Sequence, residues 1–224
     1  MKIIKLDTVE STNEYAKKIA SKCENFTIIL AKKQRSGRGR LNRKWESPEG
    51  GLWISVILKP NFFSSLLSLD MGLAVLKTLK IFGIDSKLKW PNDLLVSEKK
   101  ICGILLEKSS ENVIIGIGLN VNISKMNTEN WTSMLMESKK RFNLEEVLDV
   151  LINNIKHYYN LYEKKEFSKI TEEWKQNSCT LGKNVIVETI PETLSGKAID
   201  IDENGFLILD NGKKINAGDV VHLR

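Results

Sequence analysis

The stretch AKKQRSGRGRLNRKW, residues 31–45, lies between two apolar runs, FTIILA at 26–31 and GLWISVIL at 51–58. It carries seven cationic side chains, no acidic side chain, and the two glycines Gly37 and Gly39. Short apolar runs bounded by turn residues predict buried strands. The stretch is therefore predicted to be a loop between two strands of an α/β domain. Three interpretations are open: a nucleic-acid surface, a cradle for an anionic ligand, or a solvated loop.

The composition of this loop suits an anionic ligand. Glycine permits backbone conformations that bring amide N–H groups close to a ligand. The guanidinium groups of Arg38, Arg40 and Arg43 are planar donors that match carboxylate and phosphate. The chain contains neither a GxxxxGK phosphate-loop pattern nor a GxGxxG pattern, so neither common nucleotide-binding loop is available. The flanking strands favour a binding loop over a solvated one.

The composition of the 224 residues is that of an ordinary globular protein, with 42% hydrophobic and 28% charged residues and a net charge of +6. The excess of cations suits anionic partners but names none. Three widely spaced cysteines exclude a disulfide framework and a CxxC metal site. The chain has no signal-peptide pattern and no apolar run long enough for a membrane span, so we expect a cytoplasmic location.

Histidine is scarce, which restricts the possible chemistry. Only His157 and His222 are present, the first in a helical pattern and the second close to the C-terminus. Serine–histidine and cysteine–histidine catalysis are therefore poorly supported. Any reaction would have to rely on lysine, arginine and carboxylate side chains.

Hydrophobic periodicity predicts an α/β body at residues 1–179, followed by a small all-β barrel at 180–224. In the body we predict strands at 2–6, 26–31, 51–58, 87–90, 100–107 and 112–123, and helices at 11–22, 64–82 and 143–165. Two of these helices have N-terminal capping signals, Ser11 with Glu14 and Asn143 with Glu146. In the barrel we predict short strands at 184–189, 195–202, 205–210, 213–217 and 220–224.

A second group of polar residues follows the predicted strand at 87–90. Pro91 ends that strand, so Asn92 and Asp93 would lie at a strand edge. Lys100 opens the next strand, and Gly103 removes a side chain from it, which commonly marks the close approach of a ligand. The alternative is an ordinary hairpin with a solvated lysine.

Three further positions have both a structural and a functional interpretation. One hydroxyl of the Ser11, Thr12 and Asn13 group would cap a helix, although a helix N-terminus also points N–H groups at a polar ligand. Asn120 lies in an apolar strand, where a buried amide needs a partner. Cys102 is best interpreted as a small buried residue, because no neighbour would activate its thiol.

The motifs STN, QRSGRGR, RKW, KWPND, KICGILLE and GIGLNVN occur in this order between residues 11 and 122. Each is weak alone, but the ordered set resembles the biotin protein ligase family. The C-terminal stretch resembles that family's small SH3-like domain. The resemblance implies a mixed-sheet α/β domain similar to the class II aminoacyl-tRNA synthetase and lipoyl ligase catalytic fold. It implies the ATP-dependent activation of biotin to biotinyl-5′-AMP, with Mg²⁺, and its transfer to a lysine of a biotin carboxyl carrier protein. Neither step needs a histidine or a covalent enzyme nucleophile.

The resemblance also implies roles at the matching positions. Biotin would contact Ser11, Thr12, Asn13, Gln34, Gly37, Arg38, Gly39, Arg40, Lys100 and Gly103. ATP would contact Arg38, Arg40, Arg43, Trp45, Lys89, Asn92, Asp93, Lys100 and Asn120. Lys100, Arg40 and Arg38 would act in catalysis, with Lys100 bridging the biotin carboxylate and the α-phosphate. No metal ligand is assigned. The cationic loop would close over the intermediate, and Lys32, Lys33 and Lys44 have no assigned role.

The resemblance leaves several expectations and two rivals. Some family members carry an N-terminal DNA-binding domain and repress transcription. Because the first strand begins at Lys2, we expect neither a DNA-binding domain nor repressor activity here. We also expect no nucleic-acid or membrane partner. A homodimer is possible, since relatives often dimerise through a sheet edge. The first alternative is a lipoate or octanoate transferase of the same fold. The second is a nucleic-acid-binding module, and the affinity of such a module for nucleic acid would fall steeply with salt.

Overall fold

The computed structural model describes residues 1–189 and 192–223 and contains two sheets. The first has seven strands in the order β1-β2-β3-β7-β6-β5-β4, with β1 and β2 parallel and the other neighbours antiparallel. Its strands are β1 (Ile3–Val9), β2 (Thr27–Gln34), β3 (Leu52–Leu58), β4 (Lys87–Lys89), β5 (Asp93–Val96), β6 (Lys99–Ser109) and β7 (Asn112–Leu119). The mixed sheet confirms the predicted α/β class.

Five α-helices accompany this sheet: α1 (Thr12–Ile19), α2 (Leu66–Ile81), α3 (Met134–Ser138), α4 (Leu144–Glu163) and α5 (Phe167–Gln176). The predicted caps of α1 and α4 are present, because the side chains of Ser11 and Asn143 accept backbone N–H bonds at the first turns. The capping box of α1 is only half formed. The Glu14 side chain bonds to Lys17 and Arg38 instead of returning to Ser11.

The two faces of the seven-stranded sheet are covered differently. On one face, α2 and α4 pack against branched apolar side chains such as Ile54, Ile115 and Ile117. On the other face, α1 covers a smaller cluster that contains Ile29 and Ile114. Because strand side chains alternate between faces, Gly103, Gly116 and Gly118 lie on this second face, with Gly116 beneath Asn13 at the start of α1.

Three elements of the body were not predicted from the sequence: β5, α3 and α5. Strand β5 pairs with β6 through a tight turn at Ser97 and Glu98, whose φ angles are 48° and 66°. Turns with positive φ usually carry glycine or asparagine, so serine and glutamate gave no signal. As a result Asp93, which we placed at a strand edge, begins a strand and pairs with Gly103.

The second sheet is antiparallel, in the order β11-β10-β9-β8-β12. Its strands are β8 (Asn184–Glu188), β9 (Thr193–Ile201), β10 (Leu207–Leu209), β11 (Lys214–Ile215) and β12 (Asp219–His222). Arg224, the last residue of the predicted final strand, lies outside the described residues. The boundary at 179/180 stays a prediction.

Trp90 holds the second sheet against the body of the protein. Its indole N–H donates to the Gly205 carbonyl at 3.0 Å, and its backbone N–H donates to Thr180 Oγ1 at 3.0 Å. The indole is 1% exposed. The second sheet is therefore fixed beside the β4–β5 end of the first sheet. In the described part of the chain, no helix is both long and apolar enough to span a bilayer.

Candidate active site

A cavity of about 400 Å³ lies over the glycine-bearing face of the seven-stranded sheet. Its floor is made by strands β6 and β7 at Gly103, Gly116 and Gly118. A Cβ atom on Gly118 would lie 2.4 Å from the Trp45 indole nitrogen, and one on Gly116 would lie 2.4 Å from Asn13 Oδ1. Side chains at these positions would therefore overlap the residues that form the walls of the cavity and would reduce its volume. Glycine is required at these strand positions because other side chains approach the backbone closely, as is common beside a ligand.

The cavity brings together most of the candidate residues. All of those named from the sequence line it except Gly37 and Lys89. Asp219 of the second sheet also contributes, as does a segment at 126–131 that includes Trp131. Neither carried a recognisable signal, although the alternating glycines of β7 could have identified Gly116 and Gly118 as floor residues.

The cationic loop is a folded hairpin. The Trp45 N–H donates to the Gly37 carbonyl at 2.8 Å, and the Gly39 N–H donates to the Arg43 carbonyl at 2.7 Å. A Cβ on Gly37 would lie 2.4 Å from the Trp45 carbonyl oxygen. Gly37 is therefore required by the return strand of its own hairpin, and its contact with biotin stays a prediction. At Gly39, by contrast, the nearest atom to an added Cβ is 3.5 Å away.

Two arginines of the loop connect it to the second sheet. Arg40 donates to the Gly218 carbonyl at 3.0 Å and to Asn92 Oδ1 at 3.2 Å. Arg43 lies 2.6 Å from Asp219 Oδ2. Burial lowers the pKa of Arg40 from its usual value, and the nearby carboxylate of Asp219 opposes that shift. The second sheet thus helps to position the arginines over the cavity.

Arg38 has a different set of partners. Its guanidinium contacts the carboxylate of Glu14 and donates to Asn42 Oδ1 at 3.0 Å. It also lies 3.8 Å from Glu107 Oε1. Arg38 therefore faces the α1 side of the cavity, whereas Arg40 and Arg43 face the second sheet.

Lys100 is held by its backbone and by its side chain. Its N–H donates to the Asn130 carbonyl at 2.9 Å, and its carbonyl accepts from Thr132 N–H at 2.9 Å. The ammonium group lies 2.7 Å from Asp93 Oδ1 and 5.0 Å from the centre of the Trp45 ring. The lysine is thus fixed between a carboxylate and an aromatic face, at the cavity floor.

Trp45 lies across this floor, above Gly103 and Gly118. Its indole N–H is buried and has no hydrogen-bond partner among the described residues. An orphaned buried donor is costly. The indole therefore presents a stacking face to whatever the cavity holds, while its N–H lies against the floor at Gly118.

One end of the cavity is a neutral polar cluster. The N–H and the hydroxyl of Thr12 donate to Gln34 Oε1 at 2.8 and 3.0 Å, and Gln34 Nε2 donates to Ser47 Oγ at 2.7 Å. Asn13 accepts from Ser55 Oγ at 2.5 Å and donates to Glu107 Oε2 at 2.8 Å. These bonds fix the orientation of both amides, so this end offers oriented donors and acceptors to a neutral polar ligand.

The opposite end contains Asn92, Asp93 and Asn120. Asn92 Nδ2 donates to the Ile104 carbonyl at 2.7 Å. Asn120 Nδ2 donates to the Thr132 carbonyl at 2.9 Å, while its Oδ1 is buried without a partner in residues 1–189 and 192–223. Lys89 is not brought to this end. It lies near Cys179 and His222. The pKa of His222 is lowered mainly by burial, and the positive charge of Lys89 lowers it further.

The three unassigned lysines lie outside the centre of the cavity. Lys32 forms an ion pair with Asp7 at 2.7 Å. Lys33 and Lys44 line a second, open groove beside the cavity, together with Arg35 and Lys125. Lys44 also lines the rim of the main cavity.

The site therefore combines a neutral polar end, three arginines and two lysines, with no histidine among its lining residues. Such a site can bind and neutralise an anionic intermediate. Comparison with known proteins identifies the class. Residues 6–123 match the biotin/lipoate A/B protein ligase family, and residues 180–223 match the biotin protein ligase C-terminal domain. The chain belongs to the biotin/lipoate A/B protein ligase family.

Individual relatives agree with this assignment. The chain is 33% identical to the bifunctional ligase/repressor BirA of Bacillus spizizenii, over 97% of this chain and 73% of that protein. It is 30% identical to the biotin–(acetyl-CoA-carboxylase) ligase of Paracoccus denitrificans, over 91% of this chain and 92% of that one. The structure of the biotin protein ligase from Aquifex aeolicus in complex with biotin and ATP has 32% identity and a TM-score of 0.91. That comparison covers 100% of this chain and 99% of the other.

Proposed function

We infer that this chain is an ATP-dependent biotin–protein ligase, which forms biotinyl-5′-AMP and transfers biotin to a lysine of a carrier protein. The observation that supports this most strongly is the shared cavity of Arg38, Arg40 and Lys100 beside the Thr12–Gln34 cluster. The fold matches that of the Aquifex aeolicus ligase bound to biotin and ATP. The reaction needs groups that position two anions, and the cavity supplies them.

In the first step, a carboxylate oxygen of biotin attacks the α-phosphorus of ATP, and the bond to the pyrophosphate breaks. Two negatively charged groups must approach each other, so neighbouring cations lower the barrier. Lys100 would bridge the biotin carboxylate and the α-phosphate, while Arg38 would hold the carboxylate and Arg40 and Arg43 the phosphates. Ser11, Thr12, Asn13 and Gln34 would hold the ureido end of biotin.

In the second step, the amine of a carrier lysine attacks the acyl carbon and AMP leaves. The intermediate must be protected from water until then. Because Arg40 and Arg43 contact Gly218 and Asp219, the loop can close over the intermediate against the second sheet. We expect limited proteolysis within residues 35–45 to slow when biotin and ATP are added together. Equal cleavage with and without them would contradict this closure.

The adenine end of ATP would lie near Trp45, whose indole offers a stacking face, and near Asn92, Asp93 and Asn120. Mg²⁺ usually binds through one or two carboxylates together with substrate phosphates. The described residues contain no group of three His, Cys, Asp or Glu side chains that could hold a metal. Mg²⁺ would therefore enter with the ATP phosphates and help to neutralise their charge.

The experiment that tests this function is a mass-spectrometric assay of adenylate formation. The purified protein is incubated with ATP, Mg²⁺ and one acid at a time: biotin, lipoate or octanoate. We expect the biotinyl adduct of AMP with biotin and only background product with the other acids. An adduct with lipoate or octanoate alone would assign the chain to the other branch of the family. The carrier protein, a homodimer and the cytoplasmic location remain predictions.

A further inference from the structure

Arg38 is engaged by carboxylates that belong to the protein itself. Its guanidinium contacts Glu14 from helix α1, and the carboxylate of Glu107 from strand β6 lies 3.8 Å away. Arg38 also lines the cavity. A guanidinium binds any carboxylate through the same planar donors. An internal carboxylate on Arg38 therefore occupies donors that a ligand carboxylate would use.

The position of Glu14 is not explained by helix capping. At the third residue of a capping box, the glutamate side chain would reach back to the N–H of Ser11. Here it reaches out to Arg38 and Lys17. Its pKa is lowered by the hydrogen bond from Lys17, so Glu14 is a carboxylate at neutral pH.

The exchange of one carboxylate for another on Arg38 leaves no charge stranded. Lys17 lies 3.0 Å from Glu14 Oε1 and 2.6 Å from Glu107 Oε1. If Arg38 turns to a ligand, Glu14 keeps Lys17 as its partner, and Glu107 keeps Lys17 and Asn13. The penalty for an unpaired, partly buried carboxylate is thereby avoided.

We propose that Glu14 competes with the carboxylate of the substrate for Arg38, holding the guanidinium in position and yielding it when the substrate binds. This rests on the proposed role of Arg38 as the group that receives the biotin carboxylate. Glu14 is then a positioning residue that sets the affinity for acids at this site. It does not contact the neutral end of the ligand, so it should not alter affinity for a neutral analogue.

The chain offers a matched control. Glu10 lies four residues before Glu14 and forms an ion pair with Arg35, a different arginine of the same stretch, at 3.3 Å. A Glu10→Gln substitution removes the same charge from the same region without touching Arg38. It separates a long-range effect of charge from direct competition.

The experiment compares the wild-type protein, Glu14→Gln and Glu10→Gln by isothermal titration calorimetry. Two ligands are used, biotin and its neutral alcohol analogue, in which a hydroxymethyl group replaces the carboxylate. Partly exposed ion pairs have small energies, so we expect Glu14→Gln to bind biotin roughly 2- to 5-fold more tightly. Its affinity for the alcohol should be unchanged, and Glu10→Gln should match the wild type with both ligands.

The same variants are compared in steady-state adenylate formation, where Glu14→Gln should lower the KM for biotin and leave kcat unchanged. Unchanged or weaker biotin binding by Glu14→Gln would overturn the proposal. So would equal tightening for the acid and the alcohol, or an equal gain in Glu10→Gln. If the folded wild-type protein bound no biotin at all, the proposed function itself would fail, which is a separate result.

Discussion

The two faces of strands β6 and β7 have opposite characters, one packed and one open. On one face, Cys102, Ile104, Ile115 and Ile117 are packed beneath α2 and α4. On the other, Gly103, Gly116 and Gly118 occupy alternate positions, and the space above them is the cavity. One face contributes stability through buried apolar area. The other gives up that contribution to make room for ligands, Trp45 and Lys100.

The largest expected effect is a loss of stability when a side chain of the packed face is truncated. Ile115→Ala removes a side chain of the packed face that is 0% exposed, and such changes typically cost about 2–5 kcal/mol of stability. Urea denaturation should show this loss of free energy of unfolding. The folded fraction should keep wild-type activity in adenylate formation. A variant that lost activity while keeping its stability would contradict the division between the faces.

The next effect concerns the cavity face and is measured as activity of the folded protein. Lys100→Ala removes a charge-assisted contact worth about 1.5–3 kcal/mol, so biotinyl-AMP formation should fall roughly 10- to 100-fold. Lys99→Ala is the matched control, because Lys99 is the neighbouring lysine and is exposed. Full activity in Lys100→Ala, or an equal loss in Lys99→Ala, would refute the role of Lys100.

A smaller effect is expected when a methyl group is added to the floor. In Gly118→Ala the new Cβ would lie 2.4 Å from the Trp45 indole nitrogen, so the indole has to move. Overpacking of this kind typically costs about 1–3 kcal/mol. Calorimetry should show weaker binding of ATP and biotin. Gly182 has a φ of 82°, and an added Cβ there meets no atom within 4 Å, so Gly182→Ala should strain its own turn and lower stability but leave ligand affinity unchanged.

The smallest expected effect is on the pH dependence of stability, and it concerns Asp70 in α2. This side chain is fully buried, and neither of its carboxylate oxygens has a partner in the described part of the chain. Burial raises its pKa well above the usual value. The folded state therefore holds a proton that the unfolded state releases near the ordinary aspartate pKa, so stability falls as pH rises above that value.

Asp70→Asn removes this titration. The variant should gain stability relative to the wild type at pH 8, and the gain should shrink towards pH 4. Thermal unfolding of both proteins across this range measures the difference. A gain that did not depend on pH would show that Asp70 is not protonated in the folded protein.

The contrast between the faces also explains what the sequence could predict. The apolar alternation of the strands, the caps at Ser11 and Asn143 and the ordered motifs all depend on local pattern. They identified the α/β class and half of the residues that line the cavity. Local pattern also predicted the five short strands of the second sheet.

What the sequence did not predict depends on contacts between distant parts of the chain. Asp219 reaches the cavity because the second sheet is held beside the first, which no local pattern encodes. Lys89 lies in the three-residue strand β4, near His222 of the second sheet and away from the cavity lining. The requirement for glycine at position 37, which comes from the Trp45 carbonyl of its own hairpin, was likewise not visible in the sequence. The turn at Ser97 and Glu98 lacked the usual residues, so β5 was missed.

The most direct test of the account is a competition assay with equal concentrations of biotin, lipoate and octanoate, together with ATP and Mg²⁺. Mass spectrometry of the products identifies which acid is joined to AMP. We expect biotinyl-AMP to be the main adenylate formed by the wild type. The amount formed should be roughly 10- to 100-fold lower with Lys100→Ala. A preference for lipoate or octanoate, or no adenylate from the folded wild-type protein, would contradict it.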